Sequence, residues 1–405
     1  MAKYTCPYCM TEHEMNDVEF RCLNSHGKCM TEPDVPYTLY EGGDPNRPKM
    51  MNKVFRPRTK GFKFINKMFM PVQEECPECR EVSEFRLCPD CHNILPPNIH
   101  ENEDMIISVV GTRDSGKSHY IGVLIDELQK HICPKIFGAG FMETDKEVRD
   151  HYVKTYYYPL YSLNQPLELT NPNEKQKPLI YELQLGRGKK GYKTLTFIFY
   201  DTAGENYDDL MTMSTLNKYI CKSAGIIFLV DPTQVEEVRD RMDEDKMNSA
   251  STISWDEIVT RTPDATIGRV AKLIRQSRGW GMNSKKPIDI PVAMAFSKLD
   301  AIMDLLPPGC TVAEPGSSIR EGAYNREETR VINTEISALL ENWGERRITT
   351  MMQRNFSNYA YFGVSALGQG PEKAGDTGGA RKIQKPRPHR VEDPFLWIMD
   401  QNHLL

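Results

Sequence analysis

The sequence predicts an α/β fold, a mostly parallel sheet with helices on both faces, preceded by a small β-rich module that holds metal. Three observations carry that expectation. Short apolar runs alternate with segments of helical spacing through residues 101–405, as strands covered on both faces do. The first of these runs passes through a glycine-rich loop directly into a helix. Eight of the 11 cysteines fall before residue 92, most of them in Cys-Pro-x-Cys knuckles.

Bulk figures bound the rest. A chain of 405 residues has room for two or three domains, and the cysteine-rich stretch divides it into a module at 1–100 and an α/β domain at 101–405. A net charge of −5 excludes a whole-protein field of the kind that gathers nucleic acid. No run approaches the roughly 18 apolar residues of a membrane span. Met1–Cys6 lacks the apolar core of a signal peptide. A cytoplasmic protein without membrane contact is expected, in which clustered cysteines bind metal instead of forming disulfides.

The cysteines fall in two sets. Cys76-Pro-Glu-Cys79 and Cys88-Pro-Asp-Cys91 are knuckles with eight residues between them. Each presents two thiolates from one tight turn, and two knuckles complete a tetrahedral zinc site. Cys6-Pro-Tyr-Cys9, Cys22 and Cys29 form a looser set, in which His26 can replace Cys22 or Cys29. A crossed arrangement, joining Cys6 and Cys9 to a later knuckle, stays open. Two Zn²⁺ are expected in structural sites, because four thiolates close the shell and leave no position for catalysis. Between the sets, Asn46–Lys67 carries eight Lys or Arg and no Asp or Glu, with Phe55, Phe62 and Phe64 interleaved. That composition suits base stacking and phosphate contacts on a nucleic-acid strand. It suits equally a hairpin with its aromatics in a core and its lysines in water.

Met105–Val110 reads as a buried strand, and His119–Lys130 as a helix carrying Ile121, Leu124, Ile125 and Leu128. Between them, Gly111-Thr-Arg-Asp-Ser-Gly116-Lys117-Ser118 has the spacing GxxxxGK[S/T]. Glycines let backbone N–H groups wrap a polyphosphate, and the helix N-terminus adds its positive end. Lys117 is expected at the β- and γ-phosphates and Ser118 on Mg²⁺. Gly111, Arg113, Asp114, Ser115, Gly116 and His119 complete the nucleotide contacts expected here. Other apolar strands also end in polar clusters. Thr194–Tyr200 leads into Asp201-Thr-Ala-Gly204, Ala224–Val230 into Asp231-Pro, Pro291–Phe296 into Ser297-Lys298-Leu299-Asp300, and Tyr359–Val364 into Ser365-Ala366-Leu367. Asp201 is placed to hold Mg²⁺, and Gly204 to bring its N–H to the γ-phosphate.

In this order the motifs resemble those of a small P-loop GTPase of the translation-factor-related class, over about Met105–Leu367. The resemblance implies GTP and GDP as ligands. Asp300 would accept from guanine N1 and N2, Lys298 would lie along the base, and Ser365-Ala366, with Leu367 after them, would meet guanine O6. Ser297 stands where that class more often has Asn or Thr, and its hydroxyl is expected to brace the phosphate loop. The cysteine-rich front, a long insert before the second strand and Arg390–Trp397 also resemble the double-GTPase-type proteins of bacterial conflict systems. That resemblance implies a regulatory switch working with partner proteins in antiviral or stress defence.

Glu205 follows Gly204 where many relatives put a water-orienting Gln. A carboxylate there can orient water or take its proton, or it can be a solvated switch residue. Asp114 needs a shielding cation if it faces triphosphate, which makes K⁺ a candidate; otherwise it points to solvent. Arg113 beside it would crowd an arginine finger from a partner. The first switch needs a Thr on Mg²⁺, with Thr144 and Thr170 as candidates. Thr170 is favoured because it closely precedes the strand Leu179–Leu185.

Inserts are expected at about 135–178 and 235–285. The first carries Tyr152, Tyr156, Tyr157, Tyr158 and Tyr161, packing a helical subelement. Val235–Met247, Thr266–Arg278 and Glu327–Leu340 read as helices, the last with Val331, Ile336, Leu339 and Leu340 on its apolar face. Residues 368–390 read as a flexible loop, and Pro394–Met399 as a final docked helix. Three functions follow: a GTP-controlled switch in a multi-protein system with the zinc module as partner adaptor, a GTPase acting on RNA or ribosomes through Asn46–Lys67, or a weakly hydrolysing GTP-binding structural module.

Overall fold

The computed structural model describes residues 3–58, 69–100, 103–168, 177–186, 192–201, 218–242, 262–281, 284–316, 318–371 and 382–405. Among them, seven strands make the central sheet: Glu103–Gly111 (β1), Phe141–Glu143 (β2), Leu179–Gly186 (β3), Tyr192–Tyr200 (β4), Gly225–Val230 (β5), Val292–Phe296 (β6) and Tyr359–Gly363 (β7). Their order is β2-β3-β4-β1-β5-β6-β7. The five strands from β4 to β7 pair in parallel. β3 runs antiparallel to β4, and β2 antiparallel to β3. Every residue of β5 and β6 is buried, which is why these strands read as unbroken apolar runs. β2 lies inside the first expected insert; Phe141 holds it in place by stacking on Tyr181 at 4.9 Å.

Helices cover the sheet. Lys117–Glu127 (α1) follows β1 and continues through wider turns to Phe137. Lys146–Tyr152 (α2) continues the same way to Ser162, a geometry that accommodates Pro159, which has no N–H to donate. Pro263–Ser277 (α3), Arg326–Asn342 (α4), Arg346–Asn355 (α5) and Asp393–Gln401 (α6) follow along the chain. α4 buries Ile332, Ile336, Leu339 and Leu340, while Val331, expected on that face, is 39% exposed. The residues Phe395–Met399 of α6 are all buried. Gly225 of β5 makes room for this helix, because a Cβ there would collide with Ile398. Of the expected helix Val235–Met247, Glu236–Arg241 is helical; its end lies outside the described residues.

The expected loop 368–390 needs correction on its described flanks. Arg387 N–H donates to the Leu367 carbonyl at 3.0 Å, His389 and Ser365 exchange both backbone bonds, and Ile383 is buried. Paired backbone holds these flanks; residues 372–381 lie outside the described residues.

The amino-terminal module is a set of two- and three-stranded antiparallel sheets, as its composition predicts. Glu19–Arg21 lies between Val54–Phe55 and Arg86–Leu87, bringing distant cysteine segments together. Phe55 is buried and stacks on Phe20 at 6.0 Å, while Arg56 pairs with Glu19 at 3.0 Å and Lys53 with Glu32 and Glu78. Phe55 thus faces a core as the hairpin reading expected, but the described part of the segment is no hairpin, since Lys49–Asn52 pairs with Thr31–Asp34 and Val54–Phe55 with Glu19–Arg21; Phe62 and Phe64 lie outside the described residues. The module packs on the sheet. Met10 is 1% exposed within the domain's core, and the Tyr200 hydroxyl donates to the Tyr8 carbonyl at 2.9 Å. Among the described residues, no helix is long and apolar enough to cross a membrane.

Candidate functional site

The loop after β1 has the shape its glycines allow. A Cβ on Gly111 would lie 2.5 Å from the Leu229 carbonyl oxygen of β5, so the chain can pass there only as glycine. Asp114 (φ 58°) and Gly116 (φ 77°) turn through the left-handed region. Gly116 then caps α1, leaving the first N–H groups of the helix directed into the loop. The Lys117 ammonium donates to the carbonyls of Gly111 (3.2 Å) and Thr112 (2.8 Å), and the Ser115 hydroxyl donates to Thr112 (2.8 Å).

What braces this loop differs from expectation. The Ser297 hydroxyl donates to the Val230 carbonyl at 3.2 Å, along the strand end. The brace comes instead from Asp231-Pro-Thr-Gln234. Thr112 Oγ1 donates to Gln234 Oε1 at 2.8 Å, and Gln234 Nε2 donates to the Arg113 carbonyl at 3.1 Å. Asp231 Oδ1 accepts from the Thr233 N–H and hydroxyl, at 2.9 and 2.7 Å. Its Oδ2 meets Lys298 Nζ at 2.8 Å, and Lys298 also reaches Asp114 Oδ2 at 3.4 Å. Burial pulls the Lys298 pKa down, but Asp231 and Asp114 outweigh it and hold the ammonium above its ordinary value. The cation beside Asp114 is therefore the chain's own lysine. Neither K⁺ nor open solvent is needed to explain this carboxylate.

At the ends of β6 and β7, the Ser365 hydroxyl donates to Asp300 Oδ1, and Gly368 N–H donates to Ser365 Oγ at 2.9 Å. Burial raises the Asp300 pKa, with Ser365 pulling against it. The two expected guanine motifs meet, and Ala366 and Leu367 continue from the same turn, which the 387–389 segment supports.

Asp201 directly follows β4 and is 4% exposed. Its Oδ2 accepts from the Tyr156 hydroxyl at 3.2 Å, and its buried Oδ1 has no hydrogen-bond partner. Burial raises its pKa; Ser118, Lys117 and Tyr156 oppose the shift. An orphaned carboxylate oxygen beside Ser118 fits a hydrated Mg²⁺. Thr170, Gly204 and Glu205 lie outside the described residues. The Thr144 hydroxyl is taken up by the Ile180 carbonyl at 3.3 Å, on the sheet edge. His119 turns to the insert, its Nε2 accepting from Leu167 N–H at 3.1 Å, and burial lowers its pKa to about 4.

The cysteines pair in the crossed way. Cys6, Cys9, Cys88 and Cys91 form one cluster, and Cys22, Cys29, Cys76 and Cys79 the other. The site drawn from Cys76, Cys79, Cys88 and Cys91 alone is thereby corrected. Sulfur separations of 3.4–3.8 Å within the clusters match the roughly 3.8 Å between sulfurs of a tetrahedron with zinc bonds of about 2.3 Å. All eight thiols are free of disulfides. His26 is exposed beside Glu81 at 3.6 Å, outside both clusters. His13 Nε2 lies 3.4 Å from Cys88 Sγ, a partner that supports the first cluster from behind.

Sequence reasoning missed Gln234, Tyr156 and His13. Gln234 closes a run of polar residues at a buried strand end, which was a usable signal. Tyr156 sits in wide turns that break the usual helical spacing, so nothing singled it out among five tyrosines.

A glycine loop between a buried strand and a helix, an aspartate ending the adjacent parallel strand, and a Lys-x-Asp and Ser-Ala pair at the next strand ends define a P-loop GTPase. The Double-GTPase 2 family model matches residues 105–365. The chain belongs to that family. A Mycolicibacterium smegmatis protein named as an ESX-1 scaffolding and assembly protein, SaeC, is 23% identical over 347 residues, covering 81% of this chain and 83% of the relative. Among solved structures, the chain is similar to the signal recognition particle receptor SRb-GTP/SRX complex from Chaetomium thermophilum, at 14% identity over 67% of this chain and 93% of that one, with a TM-score of 0.29. It is similar also to the S. cerevisiae Ski7 GTPase-like domain bound to GTP, at 12% identity over 69% and 48% of the two chains, with a TM-score of 0.29.

Proposed function

We propose that this chain is a guanine-nucleotide switch that binds GTP with Mg²⁺, hydrolyses it, and sets the state of a multi-protein apparatus in the cytoplasm. One observation carries the reading. Lys298, beside the base-reading Asp300, is tied through Asp231 and directly to Asp114 of the phosphate loop. Base and phosphate would then be read by one connected network. Mg²⁺, held by Ser118, Asp201 and Thr170, would neutralise charge between the β- and γ-phosphates. Lys117 would leave the loop carbonyls for the phosphates, and Glu205 would orient the attacking water.

The name of the relative supports assembly of a secretion apparatus as the setting, with the zinc module as adaptor. No residue of the site favours a defence setting over that one. The test uses the full chain with fluorescent GTP and ATP, followed by phosphate release. GTP should bind about 100-fold or more tighter than ATP, and Asp300→Ala should abolish the difference. Equal affinities for the two nucleotides would refute the guanine reading. Glu205→Ala should slow single-turnover hydrolysis at unchanged GTP affinity; an unchanged rate removes Glu205 from the mechanism. Binding without hydrolysis would leave a GTP-stabilised scaffold.

A further inference from the structure

We propose that Tyr156 positions the Mg²⁺-binding carboxylate of Asp201, and so ties the insert preceding Thr170 to the metal's ligand. The inference rests on the nucleotide reading above. Tyr156 is 1% exposed, on the wide turns that continue α2. Its ring lies against Gly122 of α1, where a Cβ would come within 3.1 Å of Tyr156 Cβ and Cδ1. The helix after the phosphate loop thus carries glycine where this ring passes. The hydroxyl reaches Asp201 Oδ2 at 3.2 Å, while Oδ1 has no hydrogen-bond partner.

A carboxylate rotates about its Cβ–Cγ bond, and its two oxygens are otherwise equivalent. A buried hydroxyl donating to one oxygen removes that freedom and presents the other. The insert that supplies the hydroxyl is itself fastened to α1 at two further points. Tyr152 donates to the Gly122 carbonyl at 2.9 Å, and Leu167 N–H donates to His119 at 3.1 Å. Movement of the insert when the first switch engages a nucleotide would therefore be felt at Asp201, and loss of the metal would be felt in the insert.

The test is a Mg²⁺ titration of fluorescent GDP bound to the full chain. Tyr156→Phe keeps the ring, so thermal melting should stay close to wild type. The Mg²⁺ concentration for half-saturation should rise about tenfold, the size of one hydrogen bond to a charged acceptor. GDP affinity in chelator should not change. Tyr152→Phe, which loses a hydroxyl in the same insert without touching Asp201, should titrate as wild type. A Tyr156→Phe titration indistinguishable from wild type overturns the proposal, as does an equal shift in Tyr152→Phe, which would trace the effect to packing. Failure of the wild type to bind nucleotide, or to respond to Mg²⁺, would instead sink the nucleotide reading on which it rests.

Discussion

Asp104 sits where the amino-terminal module meets the start of β1. Its pKa is pushed up to about 7 by burial, against the pull of Lys222 and of the Thr5 backbone N–H. The ordinary value is 3.8, so folding favours the protonated acid. An acid raised by folding stabilises fully below its unfolded value, and that contribution is lost as pH climbs through the folded value. Stability should therefore fall between pH 4 and pH 7, by an amount on the order of 2 kcal/mol once partial solvent access is allowed for. Asp104→Asn, which mimics the protonated acid, should match wild type only below the unfolded value, near pH 3, and melt higher at pH 8. Parallel melting curves for the two proteins across this range would show that Asp104 is not the group responsible. At this scale, the sequence disclosed residues whose chemistry is contiguous. Lys298 and Asp300 lie in one motif, and Ser365 announces itself at a strand end. Gln234 and Tyr156 act on residues 122 and 45 positions away, and no local spacing encodes such contacts.

Elements show the same division. Parallel strands buried on both faces were legible because each is a continuous apolar run, whereas β2 has only three residues and α5 only scattered apolar positions in a charged segment. The fold of each cysteine knuckle is set within four residues, so it could be read. Its partner is set by the sheet that brackets Glu19–Arg21 between Val54–Phe55 and Arg86–Leu87, so it could not. The crossed pairing has a direct consequence for metal content. Cys9→Ser and Cys88→Ser damage one site, so the double variant should keep one of two zinc ions per chain. Cys76→Ser with Cys88→Ser damages both sites and should keep none. Sequential pairing demands the reverse order, and elemental analysis of the purified variants separates the two.

Across the whole molecule, the first cysteine cluster lies at one of the places where the module meets the GTPase domain, Asn98 on Glu182 at 3.1 Å being another. Its knuckle loop Pro7–Met10 lies between Cys6, Cys9 and the sheet, with Met10 in the domain's core and the Tyr8 carbonyl on the Tyr200 hydroxyl. Tyr200 is the last residue of β4, and Asp201 follows it. The loop organised by this cysteine cluster thus supports the strand end that leads into Asp201, the carboxylate proposed above for Mg²⁺. Cysteines of both clusters lie in the module's own core with Phe20 and Leu95, but among the described residues only the knuckle of the first, through Tyr8 and Met10, also joins the core of the domain. Zinc contributes folding free energy where its ligands are preformed only in the fold. The two sites should therefore differ in reach. Cys9→Ser should lower the thermal transition of the nucleotide domain by several degrees, at roughly 2 °C for each kcal/mol of lost coupling. Cys79→Ser should lose its zinc yet leave that transition near wild type. Calorimetry of the full chain, with the domain transition identified by its shift on adding nucleotide, measures both. Equal displacement by the two variants would mean that the module stabilises the domain as one body, and that the first site has no privileged grip on β4.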